Sequence, residues 1–323
     1  MMTNFGYFRA GSLAEAIKAL GARGAKLHAG GTDLLGCARD EVFQVERIVS
    51  ISRLKELQGI STRPDGGVKI GAMSKLAEIA ASKVIAEKYP ALARAAVEVG
   101  TPQIREQGSI GGNLCQRPRC WYFRSDLRCL KKGGAACFAV NGENQYHAIF
   151  GGGPCFCVHP SDLAVALEAL QAQLMIAGPS GSRAVRLADF FAVPKKTVDK
   201  ENVLLPGEIV TEVHLPPASG NTKSFFRKIR ARGSWDFALA SAAALLQLDG
   251  ENVRAARIVL GGIAPYPWRV EAAEKILTGK KLDAALAAAA AEAAVTGATP
   301  LKGNGYKVEI AKGAVEESLV ALL

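Results

Sequence analysis

The sequence predicts an α+β protein built as two lobes and a following α+β domain, on three observations. Its 323 residues exceed what a single hydrophobic core usually serves. Its opening alternates short apolar strands with a capped helix, in the manner of a small β-α-β unit. Around the adjacent prolines Pro216 and Pro217 the pattern becomes that of antiparallel strands, and it closes on a run of nearly pure helix formers. The expected units are residues 1–57, a first small lobe; 58–216, a larger lobe with a mixed or antiparallel sheet; and 217–323, the C-terminal α+β domain.

Each element has a local cause. Residues 12–20 (SLAEAIKAL) set Leu13, Ala16, Ile17 and Leu20 on one face behind Ser12, a side chain suited to cap a helix. AKLHAGGTDLLG reads as an apolar strand breaking at Gly30 and Gly31, and RIVSISRLKEL as another strand. GGVKIGAMSKLAEIAAS repeats strand, turn and helix, the helix starting near Ser74, and YPALARAAVEVG is helical with Pro90 in its first turn. TPQIREQGSIGGNLCQ carries Gly108, Gly111 and Gly112, which call for tight turns. SDLAVALEALQAQLMIAG reads as a capped helix and a strand, and RAVRLADFF as a strand and a short helix. EIVTEVHLP, SFFRKIRARG, AAALLQL and VRAARIVLGGIA read as strands, and LDAALAAAAAEAAV as a helix.

Composition narrows the function classes. No stretch approaches the roughly 18 uninterrupted apolar residues of a membrane span, and the N-terminus lacks the apolar core of a signal peptide, so a cytoplasmic protein is expected, or a periplasmic one exported on a partner's signal. The net charge is +10, but the bases are dispersed and no nucleic-acid module is recognisable, so the charge is assigned to an anionic cofactor or an acidic partner rather than nucleic acid. There is no Ser/His/Asp arrangement, no H-E-x-x-H and no paired carboxylates on a helix face, which disfavours hydrolysis.

Two glycine motifs carry chemistry. LHAGGTDL (residues 27–34) ends a strand in two glycines followed by Thr32 and Asp33, and SIGGN (residues 109–113) sets Ser109 before two more. Glycines let backbone N–H groups approach an anion, and hydroxyl or amide side chains add donors. Either loop alone reads first as a structural turn, since neither matches the dinucleotide or P-loop signatures. In combination with Pro160–Asp162 and GGIAPYPWR they become specific. In this order the motifs resemble the FAD-binding medium subunit of molybdenum hydroxylases, the xanthine dehydrogenase and carbon monoxide dehydrogenase family, over nearly the whole chain. The resemblance implies that Leu27, His28, Ala29, Gly30, Gly31, Thr32, Asp33 and Leu34, with Ser109, Ile110, Gly111, Gly112 and Asn113, wrap the FAD pyrophosphate. Asp162 would take the ribityl or adenosine side, and Val99, Val210 and Lys228 match weaker positions near the flavin. As plain residues, Val99 and Val210 read equally as core and Lys228 as a solvated base.

Six of the seven cysteines fall between Cys115 and Cys157. Disulfides do not suit an intracellular chain of this size. Cys120, Cys129, Cys137 and Cys155 are separated by eight, seven and seventeen residues, with Cys115 and Cys157 flanking. No C-x-x-C knuckle of structural zinc is present, and iron–sulfur clusters accept wide spacings; iron–sulfur, zinc and incidental core thiols all remain open on spacing alone. The stretch of residues 115–158 also resembles the insertion that holds a 4Fe-4S cluster in 4-hydroxybenzoyl-CoA reductase and certain bacterial aldehyde oxidoreductases. That resemblance implies Cys120, Cys129, Cys137 and Cys155 as ligands and Cys115 and Cys157 as spectators, with Cys157 able to exchange roles with Cys155. Arg117, Arg119, Arg124, Arg128, Lys131 and Lys132 face only Asp126 and Glu143 here, an excess of four positive charges that would stabilise an anionic cluster or else form a solvated face. Trp121, Tyr122 and Phe123 would shield it, while His28, His147 and His159 are assigned hydrogen-bonding, backbone or surface roles.

The implied function is an electron-transfer flavoprotein subunit. A large molybdenum-cofactor subunit and a small 2Fe-2S subunit would be its partners, and an external acceptor or donor would complete the chain of transfer, with substrate chemistry elsewhere. The competing class is a standalone flavin oxidoreductase, or a zinc-stabilised binding module without a molybdenum partner.

Overall fold

A computed structural model describes residues 4–323. It has an α+β architecture with three sheets. The first is parallel, with Arg47–Ser50 between Gly6–Arg9 and Ala25–His28. Helix Leu13–Leu20 supplies the crossover: Ser12 accepts from the Glu15 N–H at 3.2 Å while the Glu15 carboxylate accepts from the Gly11 N–H at 2.9 Å. Ala16, Val49, Ile51 and Leu54 close a small core of their own.

The second sheet has five antiparallel strands, in the order Ile60–Thr62, Val68–Gly71, Ile209–Leu215, Gln173–Gly178 and Gly181–Arg186. Helices Leu76–Ala81, Pro90–Val97 and Asp162–Ala169 pack their apolar faces with it in the largest core. Pro90 stands at the start of its helix, where its missing N–H is harmless.

The third sheet is antiparallel, in the order Trp268–Arg269, Asn252–Gly261, Ala240–Asp249 and Thr222–Ile229. Helices Glu271–Leu277, Ala284–Ala294 and Tyr306–Val320 cover one face. Helix Asp162–Ala169 is buried along its whole length because it also meets this sheet. A Cβ at Gly261 would lie 2.3 Å from Val165, so only glycine permits that approach. Arg257 reaches across to Glu168 at 2.9 Å, giving the buried carboxylate a partner.

Residues 115–158 add no strand. They contain the four-residue helix Trp121–Arg124, the 3-10 turn Leu130–Lys132, and otherwise irregular chain. The far end of the segment is tied to the C-terminal domain by hydrogen bonds. Lys307 donates to the carbonyls of Tyr146, His147 and Gly262, and Asn304 to those of His147 and Ala148. Among the described residues no helix is long and apolar enough to cross a membrane.

Replacing Lys307 by Met removes the donor of the Tyr146 and Gly262 carbonyls and leaves that of His147 to Asn304 alone. The expected loss is about 2–4 kcal/mol of unfolding free energy by urea titration, with faster amide exchange concentrated at residues 144–148. Uniform exchange across the domain would show that the lysine is not the anchor of this segment.

Candidate functional site

Among the described residues a large cavity of about 600 Å³ is lined both by the first, parallel-sheet unit and by residues of the five-stranded sheet. One wall is the loop that follows strand Ala25–His28. Leu27, Ala29, Gly30, Gly31, Thr32, Asp33 and Leu34 line it. The loop is shaped by close approach: a Cβ at Gly30 would sit 1.9 Å from the Gln107 carbonyl oxygen, and Gly31 has a φ of +74°. Among the described residues the backbone N–H groups of Gly30, Gly31, Thr32 and Asp33 have no hydrogen-bond partner. Four successive unpaired donors on a cavity wall are a ready anion cradle. His28 does not line the cavity; its ring packs beside Gly31 and burial holds its imidazole below the ordinary value.

The second loop contributes differently. Ser109, Gly111 and Gly112 line the same cavity, but the N–H groups here are already engaged. Ile110 donates to Ser74 O, Gly111 to Ala72 O, Gly112 to the Ser109 hydroxyl and Asn113 to Ser109 O. Those bonds fix a glycine surface against the cavity, with the Ser109 hydroxyl proton left to donate. Ile110 is core, and Asn113 accepts from Ser161 Oγ at 2.5 Å, linking the loop to the helix that begins at Asp162.

Val210 lines the large cavity, whereas Val99 packs at the margin of the main core and lines no cavity described here. Lys228 is buried, not solvated. Its Nζ donates to the Asp162 carboxylate at 2.6 Å and to Glu98 O at 3.0 Å. Burial pushes the Asp162 carboxyl up while Lys228 opposes the shift. Asp162 and Ser161 line a second cavity of about 320 Å³, with Arg119, Trp121, His147, His159, Phe237 and Ser241 on its other walls. Among the described residues His147 Nδ1, His159 Nε2 and Ser241 Oγ are buried there without partners, polar capacity that a bound polar group would satisfy.

Several lining residues carried no local signal in the sequence. Lys26 and Arg117 lie over the Phe43 ring at 5.1 and 5.6 Å, and most of the segment from Asp199 to Glu208 also lines the cavity. Tertiary packing alone brings them to the cavity.

The thiols divide between sites. Cys120, Cys129, Cys137, Cys155 and Cys157 line one small cavity with Tyr122, Phe123, Leu130, Lys131 and Phe138. Cys115 instead lines the large cavity, and Cys37 is buried beside Phe123. The neighbouring Cys155 thiol and burial push the Cys137 thiol far up. The Cys137 contact pulls Cys155 down, but the Cys157 contact and burial prevail, to about 12. Burial pushes Cys120 up to about 11, and its Sγ lies 3.2 Å from His147 Nε2. Among the described residues no three His, Cys, Asp or Glu side chains already stand in metal-binding array. Four of the six bases are turned inward rather than solvated, while Lys132 donates to Ser125 O and Arg128 is exposed. Arg119 and Arg124 reach Asp33, Arg117 and Lys131 reach Glu201, and Lys131 alone of them lines the thiol cavity.

Residues 3–218 match the family described as the FAD binding domain in molybdopterin dehydrogenase, and residues 224–319 the CO dehydrogenase flavoprotein C-terminal domain. The chain is 38% identical over 316 residues to the aldehyde oxidoreductase FAD-binding subunit PaoB of Escherichia coli K12, covering 96% of each. It is 30% identical to the carbon monoxide dehydrogenase medium chain of Hydrogenophaga pseudoflava, covering 98% of this chain and 96% of that one. A solved carbon monoxide dehydrogenase from the same organism superposes with a TM-score of 0.79 at 28% identity, covering 99% and 98%. Quinoline 2-oxidoreductase from Pseudomonas putida 86, at 24% identity and a TM-score of 0.77, shares the fold over 99% of this chain and 97% of its own.

Two glycines provide opposite tests. Gly30→Ala forces the loop off Gln107, an overpacking penalty of about 1–3 kcal/mol, and flavin binding followed by fluorescence should weaken accordingly. Gly36→Ala meets nothing within 4 Å and should leave binding unchanged. A pH test follows from His159, whose imidazole burial pulls down to about 4. The unfolded chain titrates near 6.5 and takes up a proton the native state refuses, so stability is full above that pH and falls toward pH 4, by at most about 1.4 kcal/mol per pH unit. His159→Phe should remove about one proton from the slope of urea stability against pH.

Proposed function

Because the chain belongs to the FAD-binding subunits of the molybdopterin dehydrogenases, we propose that it holds FAD across the two cavities and relays electrons within a heteromeric molybdenum hydroxylase. The row of unpaired N–H groups at Gly30, Gly31, Thr32 and Asp33 is the observation that carries this reading. These donors hold the pyrophosphate, and Ser109 adds its hydroxyl from the facing loop. The Asp162–Lys228 pair stands at the second cavity, where the carboxylate accepts from the ring-bearing half and the ammonium fixes its orientation. His159 and Ser241 offer polar partners there, and Trp121 and Phe237 exclude water. When bound, FAD supplies the conversion between two-electron and one-electron steps.

The five thiols converging on one cavity fit a group that asks for several sulfur ligands, and no disulfide competes for them. The ligand set read here for a 4Fe-4S cluster is Cys120, Cys129, Cys137 and Cys155. Their raised thiol values belong to the metal-free chain, and a bound metal deprotonates its sulfur ligands. Phe123, Tyr122 and Phe138 wall the site from solvent, and Lys131 sets one positive charge beside it. The partners are a large molybdenum-cofactor subunit and a small 2Fe-2S subunit, with an external acceptor or donor at the other end. The assembly is placed in the cytoplasm, or in the periplasm if a partner carries the export signal.

Flavin and iron content of the purified chain test the reading together. Both should be present, and two further chains should co-purify from the native source. Zinc without iron would remove the cluster and leave the FAD assignment standing. Cys157→Ser should retain iron and Cys155→Ser should lose it; the reverse outcome exchanges the two ligands, which share the cavity wall.

A further inference from the structure

We propose that the thiol segment sets flavin affinity, with Asp33 and Glu201 as the positioning residues through which it acts; the inference rests on the FAD and iron–sulfur reading above. Both acidic residues line the large cavity. Both carboxylates are held by the thiol segment. Asp33 Oδ2 accepts from the Arg117 backbone N–H at 2.8 Å, Oδ1 accepts from Arg124 at 2.7 Å, and Oδ1 also forms an ion pair with Arg119 at 2.9 Å. Glu201 meets Arg117 at 2.5 Å and Lys131 at 2.9 Å, and Lys131 also donates to Val198 O at 2.6 Å. Arg124, Lys131 and Glu201 are largely buried, at 14, 5 and 8% side-chain exposure, so losing a partner there is far more damaging than at a surface ion pair.

The cations alternate with the thiols along the chain. Cys120 follows Arg119 and begins the short helix that ends at Arg124, and Cys129 begins the turn that contains Lys131. No sheet ladder fixes this segment, so its shape depends on local ties. Joining Cys120 and Cys129 to one metal centre restricts both turns and with them the cations they carry. The braced Asp33 then holds the N–H row of Gly30 to Asp33 facing the cavity, and the braced Glu201 holds the cavity lining contributed by its own segment. By linkage, a thiol site that tightens flavin binding is itself tightened by flavin.

The test is a flavin titration of the full-length chain, iron-replete and iron-depleted by anaerobic chelation, with iron quantified in each sample. In the wild type, iron removal should raise the FAD dissociation constant roughly tenfold, the usual scale of a coupling between two sites. In the Asp33→Asn/Glu201→Gln variant the constant should already be raised, and iron removal should add less than about twofold. Should that variant not fold, Arg124→Gln and Arg124→Lys decide, the first weakening FAD binding and the second largely restoring it. An unchanged dissociation constant in iron-depleted wild type, or the full effect persisting in the double variant, overturns the coupling alone. A wild type that never contains iron overturns the cluster reading and the coupling with it, while FAD binding stands separately.

Discussion

Asp33 is gripped by three arginines that arrive from more than eighty residues along the chain, two by hydrogen bonds and one by an ion pair, and the cavity depends on that grip. The carboxylate belongs to the first glycine loop, and its oxygens are taken up by Arg117, Arg119 and Arg124. One side of the loop is thereby fixed by charge. The other is fixed by contact, since Gly30 rests against the Gln107 carbonyl with no room for a side chain. A loop held on both sides can keep its N–H groups unpaired and aimed at an anion, which an unsupported glycine turn would not do.

The same economy joins the larger units. Helix Asp162–Ala169 belongs to the main core, carries Asp162 to the second cavity, and meets the C-terminal sheet where Gly261 gives way to Val165. Its two buried acids are each neutralised by a base of the C-terminal sheet, Asp162 by Lys228 and Glu168 by Arg257. Buried charges of this kind add little to net stability, but they fix one register between the units. Lys307 and Asn304 perform the corresponding task for the far end of the thiol segment using uncharged carbonyl acceptors.

What could be read from the sequence was local. Ser12 before SLAEAIKAL, Pro90 in YPALARAAV and the two glycine loops announce themselves through capping, φ restriction and the absence of side chains. Strand Gly6–Arg9 did not, because all four residues are exposed and no apolar alternation marks them. Helix Tyr306–Val320 was hidden for the opposite reason: it buries Lys307 and Ser318 among its apolar residues, which blurs the period. At the site, the motif residues were legible and their partners were not. Phe43, Lys26 and the wall from Asp199 to Glu208 reach the cavity only through tertiary packing. The excess of bases in the cysteine segment was visible, but its purpose was not, since composition cannot say that Arg119 and Arg124 turn to Asp33 while Arg117 and Lys131 turn to Glu201.

The central claim is that one chain holds a flavin diphosphate on the first glycine loop and a metal centre on the neighbouring thiols. A crystal structure of the flavin-loaded chain, with anomalous data collected at the iron edge, tests both halves at once. The account predicts the diphosphate within hydrogen-bond reach of the N–H groups of Gly30 to Asp33, and an iron peak enclosed by Cys120, Cys129, Cys137 and Cys155. A diphosphate bound away from that loop, or a thiol cavity with no iron signal in a chain purified without exposure to oxygen, would contradict it.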